Sequence, residues 1–148
     1  MVDVGMKNAS ERTATADGQI RMSQNAYDAV KNVGGPKGDV LRTAELAGTM
    51  AAKRTHELIP LCHPIGLDHV EITAELAPEL PGVRVVATTK VTAKTGIEME
   101  ALTAVSVALL TVYDMVKSAG HDLEIGQVRL LEKSGGVSGD WKRDNPSV

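Results

Sequence analysis

Asp114 and Lys117 set a carboxylate and an amine three residues apart inside a long apolar stretch of a 148-residue chain. On a helix they share a face, and together they could hold or move a proton. Charge is rarely placed in apolar sequence without a partner or a task. Glu100 belongs to the same stripe. At about 100° per residue, Glu100, Thr103, Val107, Thr111, Asp114 and Ser118 line one narrow face of small or polar residues. A carboxylate lies near each end, and the helical rise separates those ends by roughly 21 Å. One small molecule could not easily touch both in a single chain. Two antiparallel copies packed about a two-fold axis would bring Glu100 of one beside Asp114 of the other. The alternative is that Glu98, Glu100, Asp114 and Lys117 are surface charges on the exposed edge of a core helix.

Other candidates are less specific. Lys37 sits in the breaker cluster Gly34-Gly-Pro-Lys-Gly38, just before a helix that Asp39 would cap. Backbone N–H groups of such a loop can hold an anion, and a lysine adds a point charge. The spacing is not that of a P-loop, and read on its own Lys37 is an ordinary solvated loop lysine. His63 stands between Cys62 and Pro64 in apolar sequence and reads first as a structural histidine. Adjacent Cys and His make a poor chelate, so no metal site is assigned. Lys53 and Arg54 suit a helix C-terminus. Ser134-Gly-Gly-Val-Ser-Gly-Asp-Trp141 reads as a flexible tail, with a loop against a ligand's phosphates as the other reading.

The elements that must position these groups follow from pattern. The central helix is expected over residues 94–117, opened by a Thr95–Glu98 capping box and ended by Gly120. One apolar stripe runs Leu102, Val105, Leu109, Val112, Val116 and a second Ala101, Ala104, Ala108, Met115, Ala119. A helix apolar around so much of its surface should be covered on more than one side. Ser23 would cap a helix over Gln24–Lys31, and Asp39 one over Val40–Lys53. Residues 1–17 read as an arm, with a short strand over Gly18–Ser23. Asp68–Leu76 alternates, Val83–Thr92, β-branched throughout, returns as its hairpin partner around Pro78–Gly82, and Ile125–Lys133 makes a last strand. This order predicts a single α+β domain over 1–148, an antiparallel sheet with helices packed on one face.

Composition narrows the function classes. With 43% hydrophobic residues the chain folds, and with 2% aromatic residues it lacks the rings that stack single-stranded nucleic acid. A net charge of −3 provides no field for nucleic acid or an anionic membrane. The single Cys62 rules out an internal disulfide and a Cys-rich zinc site, which fits a reducing, cytoplasmic home. No signal peptide is expected, nor a run approaching the length of a membrane span.

Six stretches occur in a telling order: Lys37-Gly-Asp-Val40, Ala52-Lys-Arg-Thr55, Leu58-Ile-Pro-Leu-Cys-His-Pro64, Lys94-Thr-Gly-Ile-Glu-Met-Glu-Ala-Leu-Thr103, Tyr113-Asp-Met-Val-Lys117, and Val128-Arg-Leu-Leu131 with Lys133-Ser-Gly-Gly136. With Met1-Val-Asp-Val4 they closely resemble the MoaC family, the cyclic pyranopterin monophosphate synthases of molybdenum cofactor biosynthesis. The resemblance covers nearly the whole chain. It implies a ferredoxin-like fold, a hexamer built as a trimer of dimers, and a site at the dimer interface. The implied substrate is a 3′,8-cyclised dihydro-GTP, and the implied products are cyclic pyranopterin monophosphate and diphosphate. Asp114 and Lys117 match the family's catalytic pair. Lys37, Lys53 and Arg12 match positions that can stabilise charge on phosphate oxygens. Leu61, Cys62, His63, Met99 and Glu100 match substrate-binding positions, and His63 and Glu100 can hold the edge of a pterin or guanine. A lysine in dry surroundings could serve as a base; beside a carboxylate it stays charged and can serve as the acid. No cofactor is required by the sequence, although Mg2+ can accompany a triphosphate. A non-catalytic oligomeric module binding a nucleotide or pterin is the competing reading, and the intact Lys37, Asp114 and Lys117 weigh against it.

Overall fold

The computed structural model describes residues 1–32 and 37–144. Its sheet is built around a strand that composition conceals, β1 (Ser10–Arg21), which has a hydrogen-bonded neighbour on each edge. There follow α1 (Gln24–Lys31), α2 (Val40–Ala52), a four-residue helix α3 (Thr55–Leu58), β2 (His69–Ala77), β3 (Gly82–Ala93), α4 (Glu98–Val116), β4 (Glu124–Ser134) and β5 (Trp141–Lys142). The strand order is β2-β3-β1-β4-β5, and all pairs are antiparallel. Setting β5 aside, the β-α-β-β-α-β sequence with β1 between β3 and β4 is the ferredoxin-like arrangement. The α+β expectation holds.

Residues 10–17 are therefore not an arm, and the short strand expected over Gly18–Ser23 is the end of a much longer one. Its inward face carries Ala14, Ala16, Gly18 and Ile20, all buried. These are small because α4 lies directly on them. A Cβ at Gly18 would come within 2.7 Å of Val105 Cγ1 and 2.9 Å of Leu109 Cδ1. On the outward face Arg129 grips Asp17 through Nε–Oδ1 at 2.9 Å and Nη2–Oδ2 at 3.2 Å, and Thr15 meets Thr88 at 3.2 Å. The Ala and Thr content that hides the strand is thus what close packing demands on one side and hydrogen bonding uses on the other.

Helix α4 is sandwiched between this sheet and α2. Val105, Leu109, Val112 and Val116 join Val83, Val85 and Ala87 in the core. Gly48 lets α2 approach closely, since a Cβ there would sit 3.0 Å from the Ala104 carbonyl. By length and composition α4 could cross a membrane, contrary to the expectation that no segment qualifies. Its apolarity is instead explained by cover on two sides. The Thr95–Glu98 capping box does not form: Ile97 is the N-cap, with no side-chain cap bond. The start of α4 is fixed from beneath, where the buried Thr89 hydroxyl lies 3.3 Å from both the Ala14 and Ile97 carbonyls. The caps at Ser23 and Asp39 do form, with Ser23 Oγ accepting from the Ala26 amide and Asp39 Oδ1 from the Arg42 amide. The segment after β4 is not a loose tail. It turns through Gly135 and Gly136, both at positive φ, and returns as β5, with the Gly135 amide donating to Asp140 Oδ1 at 3.0 Å. Of the expected breaker cluster at 34–38, residues 34–36 lie outside the described residues.

Candidate active site

The expected site residues gather at the two ends of α4. At the C-terminal end, Asp114 is clamped between two ammonium groups. Lys117 Nζ donates to Oδ1 at 2.6 Å, and Lys37 Nζ donates to Oδ2 at 2.9 Å and to the Asp114 carbonyl at 2.8 Å. The i, i+3 spacing supplies the first contact. The second comes from the segment leading into α2, 77 positions away, and also satisfies a last-turn carbonyl that the helix leaves open. The hydrogen bond from Lys117, then that from Lys37, holds the Asp114 carboxyl down at about 2. The same contact raises Lys117, so it is an ammonium at neutral pH and is placed to give a proton rather than take one. The cluster is not dry: both side chains are more than half exposed. Beside Asp114, Lys117 is the charged, proton-giving alternative of the two.

At the N-terminal end the situation is opposite. Glu100 is only 3% exposed. Burial, followed by the charge of Glu98, pushes its pKa up, against the pull of its own backbone amide and of His56. Burial and the Glu100 charge also raise the Cys62 thiol, which stays protonated at neutral pH. Leu61, Cys62, His63, Met99 and Glu100 line a single cavity of about 400 Å³. Five of the expected substrate-binding residues are thus brought together. The segment Ile59-Pro-Leu-Cys-His-Pro64 turns at Pro60–Leu61, with the Cys62 amide donating to the Ile59 carbonyl at 3.1 Å, and carries the first three to the start of α4, which carries the other two.

Arg12 lies beside this cavity, in a smaller hollow of about 140 Å³ that shares Lys7, Thr95, Gly96 and Glu98 with it. Arg12 Nε donates to the Ala93 carbonyl at 3.0 Å. Two residues that sequence reasoning did not assign to the site appear here. Lys7 lines both hollows, and Lys133 Nζ donates to Glu98 Oε1 at 2.8 Å. Burial raises the Glu98 carboxyl, but the Lys133 hydrogen bond, its own amide, and the charges of Lys133 and Arg12 outweigh this and leave it low. The sequence signal for Lys133 was its place in the Lys133-Ser-Gly-Gly136 stretch; its position across from Ala14, on the inward face of β4 where a lysine needs a partner, is set by the strand register. Lys53 is exposed at the end of α2, and among the described residues no hydrogen bond or ion pair ties it to either group. Among the described residues no cluster of three or more His, Cys, Asp or Glu could hold a metal ion.

A carboxylate flanked by ammonium groups, a buried acid in a cavity and a basic hollow together suit proton transfer on a phosphorylated substrate. The MoaC family model matches residues 1–136. The chain belongs to the MoaC family. The match includes both ends of α4 and the Lys133-Ser-Gly-Gly136 turn, and it stops short of β5. Among MoaC relatives, the cyclic pyranopterin monophosphate synthase of Brucella ovis is 51% identical over 148 residues, covering 100% of this chain and 90% of the relative. That of Methylobacterium sp. is 56% identical over 144 residues, covering 97% and 90%.

Proposed function

We propose that the chain is a cyclic pyranopterin monophosphate synthase, a lyase acting early in molybdenum cofactor biosynthesis. It converts (8S)-3′,8-cyclo-7,8-dihydroguanosine 5′-triphosphate to cyclic pyranopterin monophosphate and diphosphate. The observation that carries the reading is Asp114 held between Lys37 and Lys117. The purine ring is opened and re-closed onto the sugar carbons, which needs protons delivered and removed. A lysine kept charged by its carboxylate can deliver one. The cyclic phosphate forms when a sugar oxygen attacks the α-phosphate and diphosphate leaves. Negative charge then grows on phosphate oxygens, where Lys37 can stabilise it, with Lys53 as a further cation. Arg12, Lys7 and Lys133 form a second cationic wall suited to the phosphate chain. His63 and Glu100 hold the heterocycle's edge, and Leu61, Cys62 and Met99 pack against its faces. Any magnesium ion arrives on the triphosphate.

The two groups sit about 21 Å apart along an unbroken helix, so one chain does not present both to one substrate. We read the working site as shared between two copies related by a two-fold axis, within a homohexamer in the cytoplasm. In support, Leu110 projects beside the Glu100–Asp114 stripe and is 57% exposed, and Leu46 and Leu61 are more exposed still. The test is product formation by Asp114→Ala and Lys117→Ala, with circular dichroism as the control for folding. Each should lose about 100-fold or more in turnover. Full turnover in both variants would refute the assignment.

A further inference from the structure

We propose that residues 2–7 form a strap closing the cavity that holds Glu100, and that Lys94 is the positioning residue that keeps it shut. The proposal rests on the reading above for the identity of the substrate, but not for the strap itself. The segment precedes β1 and pairs with no strand. It nevertheless has a built shape: the Gly5 amide donates to Asp3 Oδ1 at 2.8 Å, and the Lys7 amide to the Val4 carbonyl at 3.1 Å. Two side chains distant in sequence tie its backbone down. His63 Nε2 lies 2.8 Å from the Val2 carbonyl, and Lys94 Nζ donates to the Gly5 carbonyl at 2.8 Å. So anchored, the strap sets Val2, Val4 and Lys7 into the wall of the cavity that Met99 and Glu100 also line. Lys94 does not line that cavity, so its effect passes through the strap.

A segment tied by a few exposed hydrogen bonds belongs to the low-stability end of a structure and can open to admit a ligand. Once closed, it excludes water from the buried Glu100 and completes the cavity with Val2, Val4 and Lys7. One of its anchors is an ammonium on a carbonyl, a charge-assisted contact stronger than a neutral one.

The experiment compares Lys94→Met and Lys94→Arg in the full chain by two readouts. Amide exchange at Gly5 and Lys7, measured without substrate, reports the strap alone. In Lys94→Met it should quicken about fivefold to tenfold, while Lys94→Arg, which keeps a charged donor, restores slow exchange. Steady-state kinetics should show KM raised by a similar factor with kcat and melting temperature held. Parental exchange rates in Lys94→Met would overturn the strap. So would a KM that falls, because the Val2 carbonyl would then be competing with substrate for His63. A parental chain that makes no product refutes the functional reading instead, and leaves the strap to be judged on exchange.

Discussion

Glu100 and Asp114 are carboxylates of opposite character on one helix. The folded state raises the Glu100 pKa above its ordinary 4.5, so it favours the protonated acid, and that favour is lost as pH rises through the folded value. At neutral pH the buried carboxylate is therefore a cost. Glu100→Gln should raise the melting temperature by a few degrees at pH 7, and the gain should vanish below the ordinary value of 4.5. A thermal series across pH checks this. Asp114 is depressed to about 2 from 3.8, so its contribution is present above 3.8 and fades as pH falls toward 2. Its side chain is exposed and its pairs are screened, so its value is to chemistry: Asp114→Asn should leave the melting temperature unmoved while product formation drops. Much of this was legible in sequence. The Asp114–Lys117 pair follows from i, i+3 spacing alone. Lys37 could be seen as a cation in a loop, but its aim at a residue 77 positions away is set by tertiary packing. Glu98 was misread because a capping box and an inward salt bridge use the same residue, and only Lys133 on the far strand distinguishes them.

Element by element, long periodic segments declared themselves and the central strand did not. Alternation marks β2, β-branched residues mark β3, and side-chain caps mark the starts of α1 and α2. β1 instead spends its inward positions on Ala14, Ala16 and Gly18, residues of weak strand propensity chosen by the helix above them. The requirement can be tested. Gly18→Ala puts a methyl group against Val105 and Leu109, neither of which has room to retreat, and should cost about 1–3 kcal/mol by overpacking. A urea midpoint equal to the parent's would mean α4 is not seated so closely. The end of β4 was likewise illegible, since Gly135 and Gly136 look like a flexible run until Asp140 and β5 close the turn.

Across the whole molecule the two halves of the site are separated by the length of α4, and the proposed shared site requires association to unite them. Co-expressing Glu100→Gln with Asp114→Asn discriminates the two architectures. If each site draws on two copies, mixed pairs carry one intact and one doubly damaged site, and about a quarter of parental turnover returns. If each chain works alone, none returns. The strand order has a different consequence. β1 is translated first, yet one of its neighbours is the last long strand: Asp17 meets Arg129 across 112 positions. A ribosome therefore delivers the membrane-like helix α4 before the strand that completes the sheet beneath it. As α4 emerges, α2, β1 and β3 are already available to cover it, and only the part of its apolar surface that β4 completes stays open until synthesis is almost finished.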